Sequence, residues 1–266
     1  MDELNDGTSS AAMVTKVPAV ALAFWIIKVC ATTAGETGGD ALSMTLGLGY
    51  AVSTLIFLGV LIVLLAAQIS SRAYRPFLYW GVIIATTTTG TTISDYLDRT
   101  LGLGYPRSSL LLFAAVLIVL AGWRLTTGSV SVGGITTRTA ELFYWTAILF
   151  SNTLGTALGD FLATTSRFGF GGGALVFGAA LALIAVAYFC SNLSRAWMFW
   201  AAFVLTRPLG ATLGDILTKP RAEGGLDFSR IASSLIIATA MVLLILLTDR
   251  GAEQAAAFVA GGADPA

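Results

Sequence analysis

The sequence predicts an all-α integral membrane protein: eight transmembrane helices form four parallel two-helix repeats, packed as a pseudo-fourfold bundle with the odd-numbered helices inside. The first supporting observation is composition, since 56% of the 266 residues are hydrophobic and only 11% are charged. A water-facing surface usually needs about a quarter of its residues charged. The second observation is a motif that recurs four times along the chain. Together they argue against an ordinary soluble enzyme.

Eight apolar segments are candidates for helices that cross a bilayer, which takes about 17–25 residues. They lie at 17–33, 49–69, 77–92, 108–123, 142–158, 173–190, 196–213 and 231–247. The remaining stretches divide the chain into a polar N-terminal tail (1–16), a first membrane half (17–125), a linker (126–139), a second membrane half (140–248) and an Ala- and Gly-rich tail (249–266). The last tail is predicted to be disordered.

The recurring motif is W-x9-G-x4-D, and each of its tryptophans follows another aromatic residue. The aromatic pairs are Phe24-Trp25, Tyr79-Trp80, Tyr144-Trp145 and Phe199-Trp200, and the aspartates are Asp40, Asp95, Asp160 and Asp215. Each copy combines one polar-striped helix with one apolar helix, so all four repeats have the same orientation. We interpret the aromatic pairs as anchors at the membrane interface.

This fourfold two-span unit, with its tryptophan and its G-x4-D ending, resembles a bacterial membrane-protein family of four tandem two-helix repeats of unknown function. The resemblance covers the chain from Phe24 to Leu247. Some members of that family are regarded as manganese exporters. The resemblance therefore implies a multi-pass protein of the bacterial inner membrane that exports manganese.

A polar stripe runs along each odd helix, because residues four apart stack on one helix face. Lipid cannot hydrogen-bond these stripes, so the odd helices should face one another inside a ring of even helices. The predicted metal ligands on the stripes are Glu36, Asp40, Asp95, Asp160, Asp215 and Asn152. The predicted polar pathway comprises Thr32, Thr87, Thr91 and Thr156, and the predicted counter-charge and gating residues are Lys28 and Arg207.

Small residues near each aspartate predict close packing between helices. Three repeats carry G-x-x-x-G, and the second has Gly90 followed by Ser94. The predicted packing glycines are Gly35, Gly39, Gly90, Gly155, Gly159, Gly210 and Gly214. Four equivalent aspartates beside four close-packing motifs favour an acidic cluster over four separate loop caps.

The stripe residues also predict the kind of ion. Five acids and two bases give the stripes a formal charge of −3, which is costly in a membrane unless acids are protonated or a cation binds. Carboxylate, hydroxyl and amide oxygens suit Mg²⁺, Mn²⁺ or Ca²⁺ rather than Cu⁺ or Zn²⁺. The chain has no His, so imidazole ligation and His-based catalysis are excluded.

These features favour an exporter of a hard divalent cation, whose partners are the lipid bilayer and the transported metal ion. With 15 Lys and Arg against 15 Asp and Glu, nothing attracts nucleic acid. We expect neither a resident cofactor nor enzymatic activity. A cation channel with a ring of aspartates and a non-transporting scaffold are the alternatives, and a homo-oligomer is left open. Lys28, Glu36 and Arg207 break the fourfold symmetry, which favours a transporter over a channel.

Overall fold

The computed structural model describes residues 16–71, 73–132, 135, 137–166 and 168–261, with side chains as far as residue 249. These residues contain eight α-helices and no β-strand. The helices are α1 (Leu22–Asp40), α2 (Gly49–Ser70), α3 (Pro76–Asp95), α4 (Tyr105–Thr127), α5 (Arg138–Asp160), α6 (Gly169–Cys190), α7 (Arg195–Thr218) and α8 (Arg230–Gly261). Each predicted span overlaps one of them.

The four odd helices form a closed ring, in which α1 and α5 each pack against both α3 and α7. Each even helix packs mainly against the odd helix of the following repeat: α2 on α3, α4 on α5, α6 on α7, and α8 on α1. The repeats therefore interlock, and the last even helix closes the circle against the first odd helix. This arrangement buries the polar stripes between the odd helices, as their need for hydrogen-bond partners requires.

One helix contact recurs at every step around this ring. The motif glycine of each odd helix lies against the residue eight positions before the aspartate of the next one. The four contacts are Gly35 with Thr87, Gly90 with Asn152, Gly155 with Arg207, and Gly210 with Thr32. A Cβ atom on Gly90 would lie 2.9 Å from the backbone nitrogen of Thr153. Because backbone cannot yield as a flexible side chain does, only glycine allows α3 and α5 to approach so closely.

We expect Gly90→Ala to destabilise the protein by about 1–3 kcal/mol, the usual cost of overpacking a core. Thermal unfolding of the purified protein in detergent measures this effect. The matched control is Gly59→Ala in α2, where an added Cβ would meet nothing within 4 Å. That control should be neutral or should gain about 0.5–1 kcal/mol from better helix propensity. Equal melting temperatures for the two variants would contradict the packing role of Gly90.

The aromatic residues of the motif form a layer across the end of the ring opposite the aspartates. Trp80, Trp145 and Trp200 are only 2%, 3% and 2% exposed. The Tyr79 ring packs on Trp145, the Tyr144 ring packs on Trp200, and the two tyrosine hydroxyls share a hydrogen bond of 2.6 Å. Interpreting these three tryptophans as interface anchors is therefore wrong. Their rings fill the space between the odd helices instead of pointing outwards.

The even helices present apolar side chains to their surroundings. Leu55, Ile118, Leu183 and Ile236, one from each even helix, are 70%, 71%, 70% and 70% exposed. Within the described part of the chain, four helices are long and apolar enough to cross a membrane, namely α2, α4, α6 and the Arg230–Asp249 part of α8. An apolar outer surface around a polar interior is typical of lipid-embedded proteins, so the structure indicates a membrane protein.

The linker and the C-terminal tail both contain segments of defined structure. In the linker, Val130, Val132 and Ile135 are buried, and the Val130 carbonyl accepts a hydrogen bond of 3.0 Å from Trp200 Nε1. At the other end, α8 continues to Gly261. Alanine has the highest helix propensity of any residue, and this segment is rich in it. The predicted N-terminal tail lies outside the described residues except for Lys16.

Candidate metal site

The motif aspartates lie where the ring helices end. Asp40, Asp95 and Asp160 are the last residues of α1, α3 and α5, and a five-residue π-helical segment follows each of them: Ala41–Thr45, Tyr96–Thr100 and Phe161–Thr165. In the fourth repeat, α7 instead continues past Asp215 to Thr218. Such π-helical turns are rare in proteins, and those that occur are often found at functional sites. The four carboxylates therefore occupy equivalent positions at one end of the ring.

Three carboxylates meet in one cluster. Glu36, Asp40 and Asp215 each contribute one oxygen, and these oxygens lie within 4.8 Å of one another. All three residues are buried, being 3%, 1% and 1% exposed. Among the described residues, Asp40 Oδ1 has no hydrogen-bond partner. A buried carboxylate oxygen without a hydrogen-bond partner needs an explanation, and a site for an ion is one; we define these three residues as the acidic cluster.

Lys219, immediately after α7, lies against this cluster. Its Nζ is 3.0 Å from Asp40 Oδ2 and 3.2 Å from Asp215 Oδ1. Arg230, at the start of α8, is more distant, with its Nε 3.6 Å from Asp40 Oδ2. Burial acts to lower the pKa of Lys219, but the Asp215 and Asp40 carboxylates outweigh burial and raise that pKa above its usual value. Lys219 therefore carries its positive charge here.

The remaining two motif aspartates pair with Arg99. Its Nε lies 3.0 Å from Asp95 Oδ1 and its second nitrogen lies 3.1 Å from Asp160 Oδ2. The same guanidinium donates hydrogen bonds to the hydroxyls of Tyr105 and Tyr50, at 3.1 Å and 3.3 Å. The structure thus gathers three of the five predicted carboxylate ligands and places the other two around a separate cation.

Arg207 joins all four odd helices just below the acidic cluster. This fully buried residue of α7 donates from one terminal nitrogen to Glu36 Oε2 at 2.9 Å and to the Thr156 hydroxyl at 2.7 Å. The same nitrogen also contacts the Thr91 hydroxyl, and the other terminal nitrogen donates to the Thr32 carbonyl at 3.4 Å. The predicted counter-charge of Arg207 therefore faces Glu36, inside the ring.

Lys28 and Asn152 lie away from the acidic cluster. Asn152 Oδ1 accepts a hydrogen bond of 3.3 Å from Lys28 Nζ, and Asn152 Nδ2 donates to the Thr86 hydroxyl at 3.0 Å. Lys28 Nζ also lies 3.9 Å from the centre of the Phe203 ring. Asn152 is thus placed among neutral groups and Lys28 rather than among carboxylates. The reason is distance, since eight residues of helix separate Asn152 from Asp160, about 12 Å of rise.

The threonines of the predicted polar pathway divide into two groups. Thr91 and Thr156 reach the Glu36–Arg207 pair, and Thr91 also donates to Glu36 Oε2 at 3.3 Å. Thr32 and Thr87 donate mainly to carbonyls of their own helices, Val29 and Ile84. Thr91 and Thr156 therefore lie next to the acidic cluster, whereas Thr32 and Thr87 pack against the motif glycines of neighbouring helices.

A family model described as a Repeat of Unknown Function (DUF347) matches the chain four times, over residues 23–74, 78–129, 143–194 and 198–250. The chain belongs to this family. The family of four tandem repeats suggested by the W-x9-G-x4-D motif is thereby confirmed, and each DUF347 repeat contains one odd and one even helix. Neither the curated proteins nor the solved structures gave a match to the chain.

The four DUF347 repeats differ at the residue four positions after the aspartate. The first and third repeats have Met44 and Thr164 there, whereas the second and fourth have Arg99 and Lys219. Neither cation belongs to the predicted stripes, which run backwards from each aspartate. Continuing one turn forwards would have found them, since residues four apart share a helix face.

These cations correct the charge expected inside the ring. The stripes alone give −3, but Arg99, Lys219 and Arg230 also pair with the carboxylates. Counting these three residues gives five acids and five bases, so the formal charge is zero. A bound cation is therefore not needed to neutralise the resting protein, and an incoming ion must compete with basic side chains for the same oxygens.

Proposed function

We propose that this chain is a multi-pass membrane transporter that exports a hard divalent cation through the acidic cluster. In this proposal all eight helices cross the bilayer: the even helices face lipid, and the polar faces of the odd helices are hidden inside. The observation that carries the proposal is the meeting of Glu36, Asp40 and Asp215, whose buried oxygens lie within 4.8 Å of one another. The membrane proposed is the bacterial inner membrane, in line with the resemblance noted from the sequence.

The donor set limits the class of ion. The acidic cluster offers carboxylate oxygens, with the Thr91 and Thr156 hydroxyls next to them. Oxygen donors bind Mg²⁺, Mn²⁺ and Ca²⁺ in preference to softer metals. The free cysteines, Cys30 and Cys190, take no part in the cluster. We name manganese among these ions because of the resemblance, and the ion is cargo rather than a resident cofactor.

A transporter fits the interior of the ring better than a channel does. A channel needs a continuous path for water and ions. Here the Arg207 guanidinium of α7 contacts the other three odd helices, and the aromatic layer with its Tyr79–Tyr144 hydrogen bond fills the far end. Movement of ions would require these groups to rearrange, as in alternating access. A scaffold, by contrast, predicts no dependence on any ion.

The direct test is the manganese content of bacterial cells that produce the protein, compared with cells that carry the empty vector. After loading with Mn²⁺, producing cells should retain less manganese, measured by elemental mass spectrometry. Cells that produce the Asp40→Asn variant at the same level control for protein production, because this variant lacks one carboxylate of the acidic cluster. Equal manganese contents, with the protein shown to be in the membrane, would overturn the proposal and favour a scaffold.

A further inference from the structure

We propose that Lys219 is a tethered cation that occupies the acidic cluster when cargo is absent and is displaced when the divalent ion binds. This inference rests on the proposed function and names the residue that sets affinity at that site. It arises from position: Lys219 Nζ lies 3.0 Å from Asp40 and 3.2 Å from Asp215, two of the three residues of the cluster. A metal ion bound to the same oxygens and the ammonium would repel each other.

The backbone of Lys219 is fixed, so only its side chain is free to leave. Its amide donates to the Asp215 carbonyl at 2.8 Å, and its carbonyl accepts from the Asp227 amide at 3.0 Å. Gly225 also passes against the Lys219 backbone so closely that a Cβ there would collide with it. The ammonium, in contrast, ends a flexible four-carbon stem. It can withdraw from the cluster without moving α7.

Arg99 occupies the position in the second repeat that Lys219 occupies in the fourth, and it bridges two carboxylates more firmly. Its guanidinium has two tyrosine hydroxyls as partners in addition to its two carboxylates. Among the described residues, Lys219 Nζ contacts only Asp40 and Asp215. Moreover, Asp40 Oδ1 has no hydrogen-bond partner in the part of the chain that the structure describes. Lys219 is therefore held by fewer partners than Arg99, and the unpartnered Asp40 Oδ1 beside it can accept a cation.

The first test measures Mn²⁺ binding by the full-length protein in detergent, using isothermal titration calorimetry. Lys219→Met removes the competing charge and keeps the length of the side chain, so we expect at least about tenfold tighter binding, equal to about 1.4 kcal/mol. Transport in proteoliposomes should become slower, since nothing then helps to expel the ion. Lys219→Arg should bind Mn²⁺ no more tightly than the natural protein.

Arg230→Met is the matched control. It also removes one positive charge next to Asp40, but the Arg230 Nε is 3.6 Å away and does not bridge two carboxylates. It should change the Mn²⁺ affinity by less than Lys219→Met does. Equal gains in the two variants would show a general effect of charge and would overturn the inference.

The second test uses the natural protein and so does not depend on any variant folding. The chain has three lysines, Lys16, Lys28 and Lys219, and reductive methylation followed by mass spectrometry reports each one. Saturating Mn²⁺ should increase the methylation of Lys219, while Lys16, paired with Glu141, should not change. Unchanged methylation of Lys219 in protein that binds and transports Mn²⁺ would overturn the tethered-cation inference alone. Protein that neither binds nor transports Mn²⁺ would overturn the proposed function itself.

Discussion

Manganese transport should fall at least about 100-fold in Glu36→Gln and in Asp40→Asn, because each change removes one negative charge from the acidic cluster. Partners outside the ligand shell already contribute roughly 10–100-fold to metal sites, so direct ligands should contribute more. Both substitutions keep the size of the side chain, and both residues are buried with their oxygens turned towards Asp215. Uptake of Mn²⁺ into liposomes that contain a manganese-sensitive dye measures the rate.

Glu141→Gln is the matched control for these two variants. Glu141 is another buried carboxylate, 2% exposed, but it pairs with Lys16 and takes no part in the acidic cluster. Its loss should leave the transport rate within a few-fold of the natural protein. Normal transport by folded Glu36→Gln and Asp40→Asn proteins would exclude the acidic cluster as the site, whatever the chain does in the cell.

The helices and their order could be predicted from the sequence, because the signals for them are local and repeated. The motif spacing, the apolar segments and the need to hide polar stripes from lipid together predict that odd helices lie inside. The contacts of Gly35 with Thr87 and of Gly210 with Thr32 then follow a single rule around the ring. The repeat along the chain thus reappears as a repeated contact between neighbouring odd helices.

The candidate site was predicted only in part, because its contacts depend on how far each side chain reaches. Periodicity placed Asn152 on the same stripe as Asp160. It did not show that the Asn152 side-chain amide would form hydrogen bonds with Lys28 and Thr86. Spacing would place Arg99 beside Asp95 and Lys219 beside Asp215, but it could not show that these side chains also reach Asp160 and Asp40 on neighbouring helices. Long basic side chains bridge several ångströms, so their partners are set by tertiary structure rather than by sequence spacing.

The environment of the aromatic layer could not be predicted from the sequence either. Tryptophans near the ends of membrane helices are usually interface anchors, and the sequence offers no sign that these differ. In the structure, Trp80, Trp145 and Trp200 are buried, and their rings pack against aromatic residues of neighbouring odd helices. The position of these tryptophans near the helix ends therefore indicated the membrane interface, whereas their actual environment is the interior of the protein.

Arg207→Met should destabilise the protein by about 3–5 kcal/mol, the usual cost of removing one partner of a buried ion pair. Methionine preserves much of the stem that packs against Gly155, but Glu36 would keep only the Thr91 hydroxyl as a hydrogen-bond donor among the described residues. Thermal unfolding in detergent, with EDTA present so that no metal replaces the lost charge, measures the effect. Arg124→Met, at an exposed position in α4, should stay within about 0.5 kcal/mol of the natural protein.

The double variant Arg207→Met with Glu36→Gln separates the charge of Arg207 from its role in packing. If the cost of Arg207→Met is the unpaired Glu36 carboxylate, neutralising that carboxylate should recover much of the lost stability, and the double-mutant cycle should show a large coupling energy. If the double variant is as unstable as the sum of the single ones, Arg207 stabilises the ring through its hydrogen bonds to Thr156 and the Thr32 carbonyl instead. In that case the guanidinium would act mainly as a structural bridge between the odd helices, and its ion pair with Glu36 would add little to stability.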